Sequence, residues 1–168
     1  MRRVLGLILP ILALVLVTGC HVKVPGVRQA ANPCHALGRA RLAHLAHARG
    51  TVSQKPMAVF TQAQACEFKA AGGTPVIILG TWDASHLSFG SEVSKLEGQF
   101  HGTAVRQVKL PGAAQAASMR GTFDTVQLPV LLASHDGFIS VVIVVTRVAA
   151  RAPVLERNTM KALVHAAG

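Results

Sequence analysis

Three cysteines, eight histidines and one acid-serine-histidine run hold most of the chemistry open to this 168-residue chain. Asp83-Ala84-Ser85-His86 brings the three residue types of acyl transfer into one short segment. Adjacency in sequence is not relay geometry, in which the base bridges nucleophile and acid across the fold. No Gly-x-Ser-x-Gly elbow accompanies the run, and a polar loop following Trp82 accounts for the same letters. His44 and His47 stand at i and i+3, so a helix puts both imidazoles on one face and offers two metal ligands. Two ligands do not make a site. His35 is a turn or more away, carboxylates are scarce, and neither HExxH nor a Cys/His quartet occurs. These histidines therefore read as exposed and unliganded, and no metal, cofactor or catalytic residue is expected. Gly72-Gly73 and Gly112 lack the strand-to-helix context of a phosphate loop and read as turn glycines. Trp82 is the only tryptophan and the chain has no tyrosine. It reads as a core or half-buried strand residue rather than as the wall of a pocket.

Cys20 is the residue with the most specific context. Arg2 and Arg3 precede an apolar run, Val4 to Val17, broken only by Gly6 and Pro10, which is the layout of an export leader. The run is too short for a span of about 20 residues. It ends in Leu16-Val17-Thr18-Gly19-Cys20, which resembles a bacterial lipobox. There small residues fit the peptidase pocket and the thiol takes a diacylglyceryl group. Residues 1–19 are then a lipoprotein signal peptide, and Cys20 is the lipidated N-terminus. Residues 20–31 are a flexible tether, carrying His21, Pro25 and Gly26 without periodicity. Residues 32–168 form a single domain of ordinary size.

Composition narrows the partners. Seventeen Lys and Arg against seven Asp and Glu give a formal net charge of +10, and losing Arg2 and Arg3 with the leader removes only two of those charges. The surplus favours anionic neighbours. Outside the membrane these are phospholipid headgroups or acidic wall polymers, and Lys23 and Arg28 in the tether each gain about 1 kcal/mol near an anionic surface. Nucleic acid is the usual partner of so basic a chain, but export argues against it. With Cys20 on lipid, Cys34 and Cys66 remain in an oxidising compartment where a disulfide persists. Closing a loop of about 32 residues, such a bond contributes roughly 3.5–4 kcal/mol in the chain-entropy model. The alternative is two free, buried thiols.

The elements that must position these residues can be read in outline. Asn32 suits an N-cap, Pro33 the first helical position and Gly50 the C′ position, which predicts a helix over 33–49 burying Leu37, Leu42 and Leu45. Cys66-Glu67-Phe68-Lys69 and Val76-Ile77-Ile78-Leu79, continuing to Trp82, read as a hairpin over 66–82. The disulfide would staple the first helix to that sheet. Val93, Leu96 and Phe100 behind a Ser91 cap describe an amphipathic helix ending near Gly102. Val105–Leu110 reads as a strand, and the Ala-rich 113–119 stays open between a helical turn and a loop. Residues 125–133 and 138–146 flank Ser134-His135-Asp136-Gly137, a strong hairpin signature. Pro129 cannot donate to a ladder and marks an edge or a bulge. A last helix over 153–166 places Glu156 in its first turn and Lys161 and His165 toward its end, the order the helix dipole favours. Leu155, Met160, Leu163 and Val164 can face the core. The fold expected is α+β, a largely antiparallel sheet packed with helices.

The signal with Cys20, the polar tether, Pro33-Cys34-x-x-Leu37 opening a helix, Cys66-x-Phe68 opening a strand and the late strand pair with its terminal helix form a recognisable set. Together they resemble the small actinobacterial, mycobacterial-type cell-envelope lipoproteins of unknown function. More loosely, they are similar to the extracellular sensor domains of actinobacterial serine/threonine kinases. Members often carry Trp where this chain has Phe68. The resemblance implies a disulfide-stapled α+β fold and no catalytic residue.

The functional expectation is a non-enzymatic ligand- or partner-binding module, lipid-anchored through Cys20 at the outer face of the cell membrane. Its partner would be an envelope lipid, glycolipid, glycan or protein, with no nucleic acid. The sequence points to no ligand-binding residue. The alternatives are an envelope hydrolase centred on Ser85 and His86, and a structural accessory subunit of an envelope complex.

Overall fold

The computed structural model describes residues 30–54, 63–123 and 126–167. Its first helix, α1 (Pro33–Leu37), starts as its residue types demand: Asn32 Oδ1 accepts the backbone N–H of Cys34 at 3.0 Å and of His35 at 3.3 Å. Ala30, assigned above to the tether, is already buried. The single helix expected over 33–49 is instead two. Gly38 leaves helical space at φ 72, ψ 149, and a second helix, α2 (Arg39–Ala46), stops at a left-handed His47. Gly50, read as a helix terminator, opens strand β1 (Gly50–Gln54). It is glycine for another reason, because a Cβ there would overlap the Lys69 carbonyl oxygen and the Phe68 ring on the neighbouring strand.

Strands β2 (Gln64–Ala70) and β3 (Val76–Asp83) form the expected hairpin. Helix α3 (Phe89–Gln99) is capped three residues before the expected Ser91: Ser88 Oγ accepts the Ser91 N–H at 3.1 Å. Strand β4 (Thr103–Gln107) follows, and the Ala-rich stretch left open resolves into β5 (Gln115–Phe123). Ala116 and Ala117 face opposite cores there, and alanine's poor strand propensity hides such a strand from a sequence reading. Strands β6 (Val126–His135) and β7 (Phe138–Val145) are joined by Asp136-Gly137 at φ 49 and 81. Both central residues therefore have positive φ, as a two-residue type I′ turn requires. A short 3₁₀ turn leads into α4 (Ala152–Ala167).

All seven strands lie in one antiparallel sheet, in the order β1-β2-β3-β7-β6-β5-β4, so two meanders meet at β3 and β7. The sheet is covered on both faces, which is why β7, Phe-Ile-Ser-Val-Val-Ile-Val-Val, is almost unbroken in its apolar character. Val142 and Val144 join Phe68, Leu79 and Met160 under α1, α2 and α4. Ile139, Val141 and Ile143 join Trp82, Leu96 and Phe100 under α3. A disulfide between Cys34 and Cys66, with Cα atoms 6.0 Å apart, fastens α1 to β2.

Pro129 qualifies the expectation attached to it. β6 is an interior strand between β7 and β5, yet its ladder with β7 begins only at Val130–Ile143. Pro129 pairs with Arg120 of β5, while Val144 has no partner on β6. The missing N–H thus coincides with the place where β6 and β7 part, and the interior strand behaves locally as an edge.

Candidate functional site

The parting of β6 and β7 opens one end of a groove. α4 packs across β6 and β7, with α1 and α2 beside it. On this face of the sheet β5 presents Ala116, then Ser118 and Arg120, because the alternate residues Ala117 and Met119 point into the core under α3. The pairing of β4 with β5 slips between Thr103 and Arg106, with Ala104 at φ 54. Such a bulge re-aims the following side chain, and Arg106 lines the groove with Arg120.

Three adjoining hollows make up the groove along the first turns of α4. The polar one, about 510 Å³, lies between Thr103, Arg106, Ser118 and Arg120 on the sheet and Pro153 and Glu156 on the helix. The apolar one, about 230 Å³, is walled by Leu128, Pro129, Val144, Val145, Ala152 and Pro153, and shares Arg120, Gln127, Pro129 and Pro153 with the first. The third, about 300 Å³, reaches Val108 and Leu131 and shares Ser118, Pro153 and Glu156.

Glu156 is the chemical centre of this groove. The expectation placed it in the first turn of the last helix, where the dipole favours an acid. The helix starts at Ala152, one residue before the expected Pro153, which leaves Glu156 just beyond its first turn, and the side chain is buried. It is 5% exposed, and Oε1 is buried with no hydrogen-bond partner among the described residues. Burial pushes its carboxyl up to about 8, against a smaller opposing pull from the Arg157 guanidinium. A carboxyl in this state is neutral near pH 7 and can donate its proton in a hydrogen bond as well as accept one. It lines the groove together with Arg106 and Arg120 on the sheet side and Arg157 on its own helix.

A second polar group escaped the sequence reading. Thr81 Oγ1 and Ser140 Oγ lie 3.0 Å apart, and His135 Nε2 lies 2.9 Å from the same Ser140 Oγ. His135 Nδ1 is 3.9 Å from Asp136 Oδ2, beyond hydrogen-bond distance. The order acid, imidazole, hydroxyl is that of a relay, but Ser140 and His135 are 0% and 2% exposed. They join three neighbouring strands inside the core. Burial lowers the His135 pKa, with Asp136 opposing. Strand alternation was the available signal: His135 falls in phase with Leu131 and Ala133, and Ser140 with Val142 and Val144.

The residues singled out from sequence are distributed otherwise. Ser85 and His86 are exposed in the loop before α3, where Asp83 Oδ1 accepts the Ser85 backbone N–H at 2.9 Å. That Asx turn accounts for the acid two residues before the serine. The His44 and His47 rings are 6.2 Å apart and exposed, and no cluster of three or more potential metal ligands occurs among the described residues. Trp82 is buried in the core under α3. Cys20 and His21 lie outside the described residues. Among the described residues no helix is long and apolar enough to cross a membrane. Compared with known proteins, the chain matches no family model and no curated protein.

Proposed function

We propose that the chain is a lipid-anchored protein of the outer face of the cell membrane, and that its domain is a non-enzymatic module binding an envelope ligand in the groove beneath α4. The address rests on Arg2-Arg3, the apolar run and Thr18-Gly19-Cys20. The binding role is carried by one observation: Glu156 is buried, its Oε1 without a hydrogen-bond partner among the described residues, in a groove lined also by Arg106 and Arg120. A buried polar group without a partner costs about 1–3 kcal/mol, and a ligand that hydrogen-bonds it recovers that penalty. Disulfide stapling of α1 to β2 supports an exported domain.

Two experiments test this reading. Cys20→Ala in the full chain should abolish incorporation of a labelled fatty acid and release or misprocess the protein. Unchanged acyl label and membrane retention would remove the anchor. Mass spectrometry of the native protein extracted from its own membranes should show a bound small molecule that Glu156→Ala loses; a ligand-free protein would remove the binding role.

A further inference from the structure

Resting on the ligand-binding reading above, the chemistry of the groove identifies the class of ligand. We propose that it binds a single-chain anionic amphiphile, with a phosphate between Arg106 and Arg120 and the hydrocarbon chain laid into the cleft between Pro129 of β6 and Val144 of β7. The polar and apolar hollows adjoin, sharing Arg120, Gln127, Pro129 and Pro153 in their walls, so one ligand can reach both. Two guanidinium groups on one wall match a phosphate, whose oxygens they can hold by parallel charge-assisted hydrogen bonds. A cationic amphiphile is disfavoured, because every ionised group lining the groove, Arg106 from β4, Arg120 from β5 and Arg157 from α4, is positive. The apolar hollow, about 230 Å³, is below the roughly 300–1,000 Å³ of whole ligand sites and suits one chain rather than two.

The mouth agrees with that occupant. Val126, Val148 and Val154 are 50%, 49% and 62% exposed. They belong to the start of β6, the β7–α4 connection and the first turn of α4, and Val126 and Val154 line the groove itself. Exposed aliphatic side chains in the lining give a ligand's apolar part a surface to meet. Glu156 supplies the remaining contact. While protonated it donates to a phosphate or glycerol oxygen; once ionised it adds a negative charge beside the anion. Arg106 and Arg120 face Glu156 from the sheet and Arg157 flanks it on α4, while Ser118, Gln127 and Asn158 carry no ionisable group, so the pH dependence follows Glu156. Affinity should fall as pH rises through about 8.

The test is photolabelling of the full chain, reconstituted in phosphatidylcholine vesicles, with lysophosphatidylglycerol carrying a diazirine in its acyl chain. Label should appear in peptides containing 126–129 and 144–153. Unlabelled lysophosphatidylglycerol should compete it away. Lysophosphatidylcholine, which has the chain without the net charge, and inorganic phosphate, which has the anion without the chain, should each leave most of it. Arg106→Ser with Arg120→Ser should reduce labelling at least about tenfold, in protein whose circular dichroism and melting are unchanged, and the corresponding lysine pair should restore part of it. Labelling of the unmodified chain should decline above pH 8, while that of Glu156→Gln stays level. Equal competition by lysophosphatidylcholine or by phosphate, or label confined to the α3 face, would overturn the assignment of ligand class and leave the binding role standing. Failure of every amphiphile to label, together with ligand-free native protein, would overturn both.

Discussion

Glu156 and His135 are the two titratable side chains whose behaviour the fold changes most, and they act on stability in opposite directions. Glu156 in the folded chain holds its proton up to about 8, against an ordinary value near 4.5. The folded state therefore binds that proton more tightly than the unfolded state, and the stabilisation is complete below about 4.5 and lost as pH rises through 8. Glu156→Gln keeps the shape and removes the charge. Its unfolding free energy from urea titration should match that of the unmodified chain in acid and exceed it above pH 8 by about 3 kcal/mol or more. His135 is the reverse case. Its pKa is lowered from 6.5 by burial, so stability is present above 6.5 and falls as the pH drops below it. In His135→Leu the loss of the Ser140 hydrogen bond should lower stability at neutral pH by about 1 kcal/mol, and the decline below pH 6.5 should flatten. A variant that keeps the full acid slope would show that other groups produce it.

At the scale of elements, the N-terminal helices are held by few contacts of their own. α1 has five residues and α2 eight, too few to be stable helices in isolation, so packing and the Cys34–Cys66 bond keep them on the sheet. Cys34→Ser with Cys66→Ser should lower unfolding free energy by about 2–5 kcal/mol. Amide exchange should rise first in 33–46 and leave the β3–β7 centre protected. Edge strand β1 depends on a single atom's absence. Gly50→Ala puts a methyl into the Phe68 ring and the Lys69 carbonyl, and overpacking of that kind costs about 1–3 kcal/mol, measurable in the same urea titration. The β6–β7 hairpin, with Asp136-Gly137 at its tip, needs no such help because its turn chemistry and its β-branched strands agree.

On the scale of the whole molecule, the division between what the sequence held and what it withheld follows interaction range. The N-cap at Asn32, the hairpins, the amphipathic α3 and the terminal helix were legible because each is written within one segment, as a capping side chain, a turn dipeptide or a periodicity. The α+β class and the Cys34–Cys66 pairing followed from their order and from a count. Gly50 and Glu156 misled because their reasons lie elsewhere in the fold. Gly50 looked like a helix end but answers to Phe68 across a strand pair. Glu156 looked like a residue placed by the dipole, but the packing of α4 on the sheet buries it against the groove. The groove itself joins Arg106, Arg120, Pro129, Val144 and Glu156 from five elements, and no local pattern brings these together. Sequence by itself thus determined the expectation of export and anchoring at Cys20, because leader peptides are recognised as linear segments before the chain folds. Only the tertiary structure decided where a ligand could sit, because a cleft exists only once β6 and β7 part at Pro129 and α4 closes over one side of the sheet.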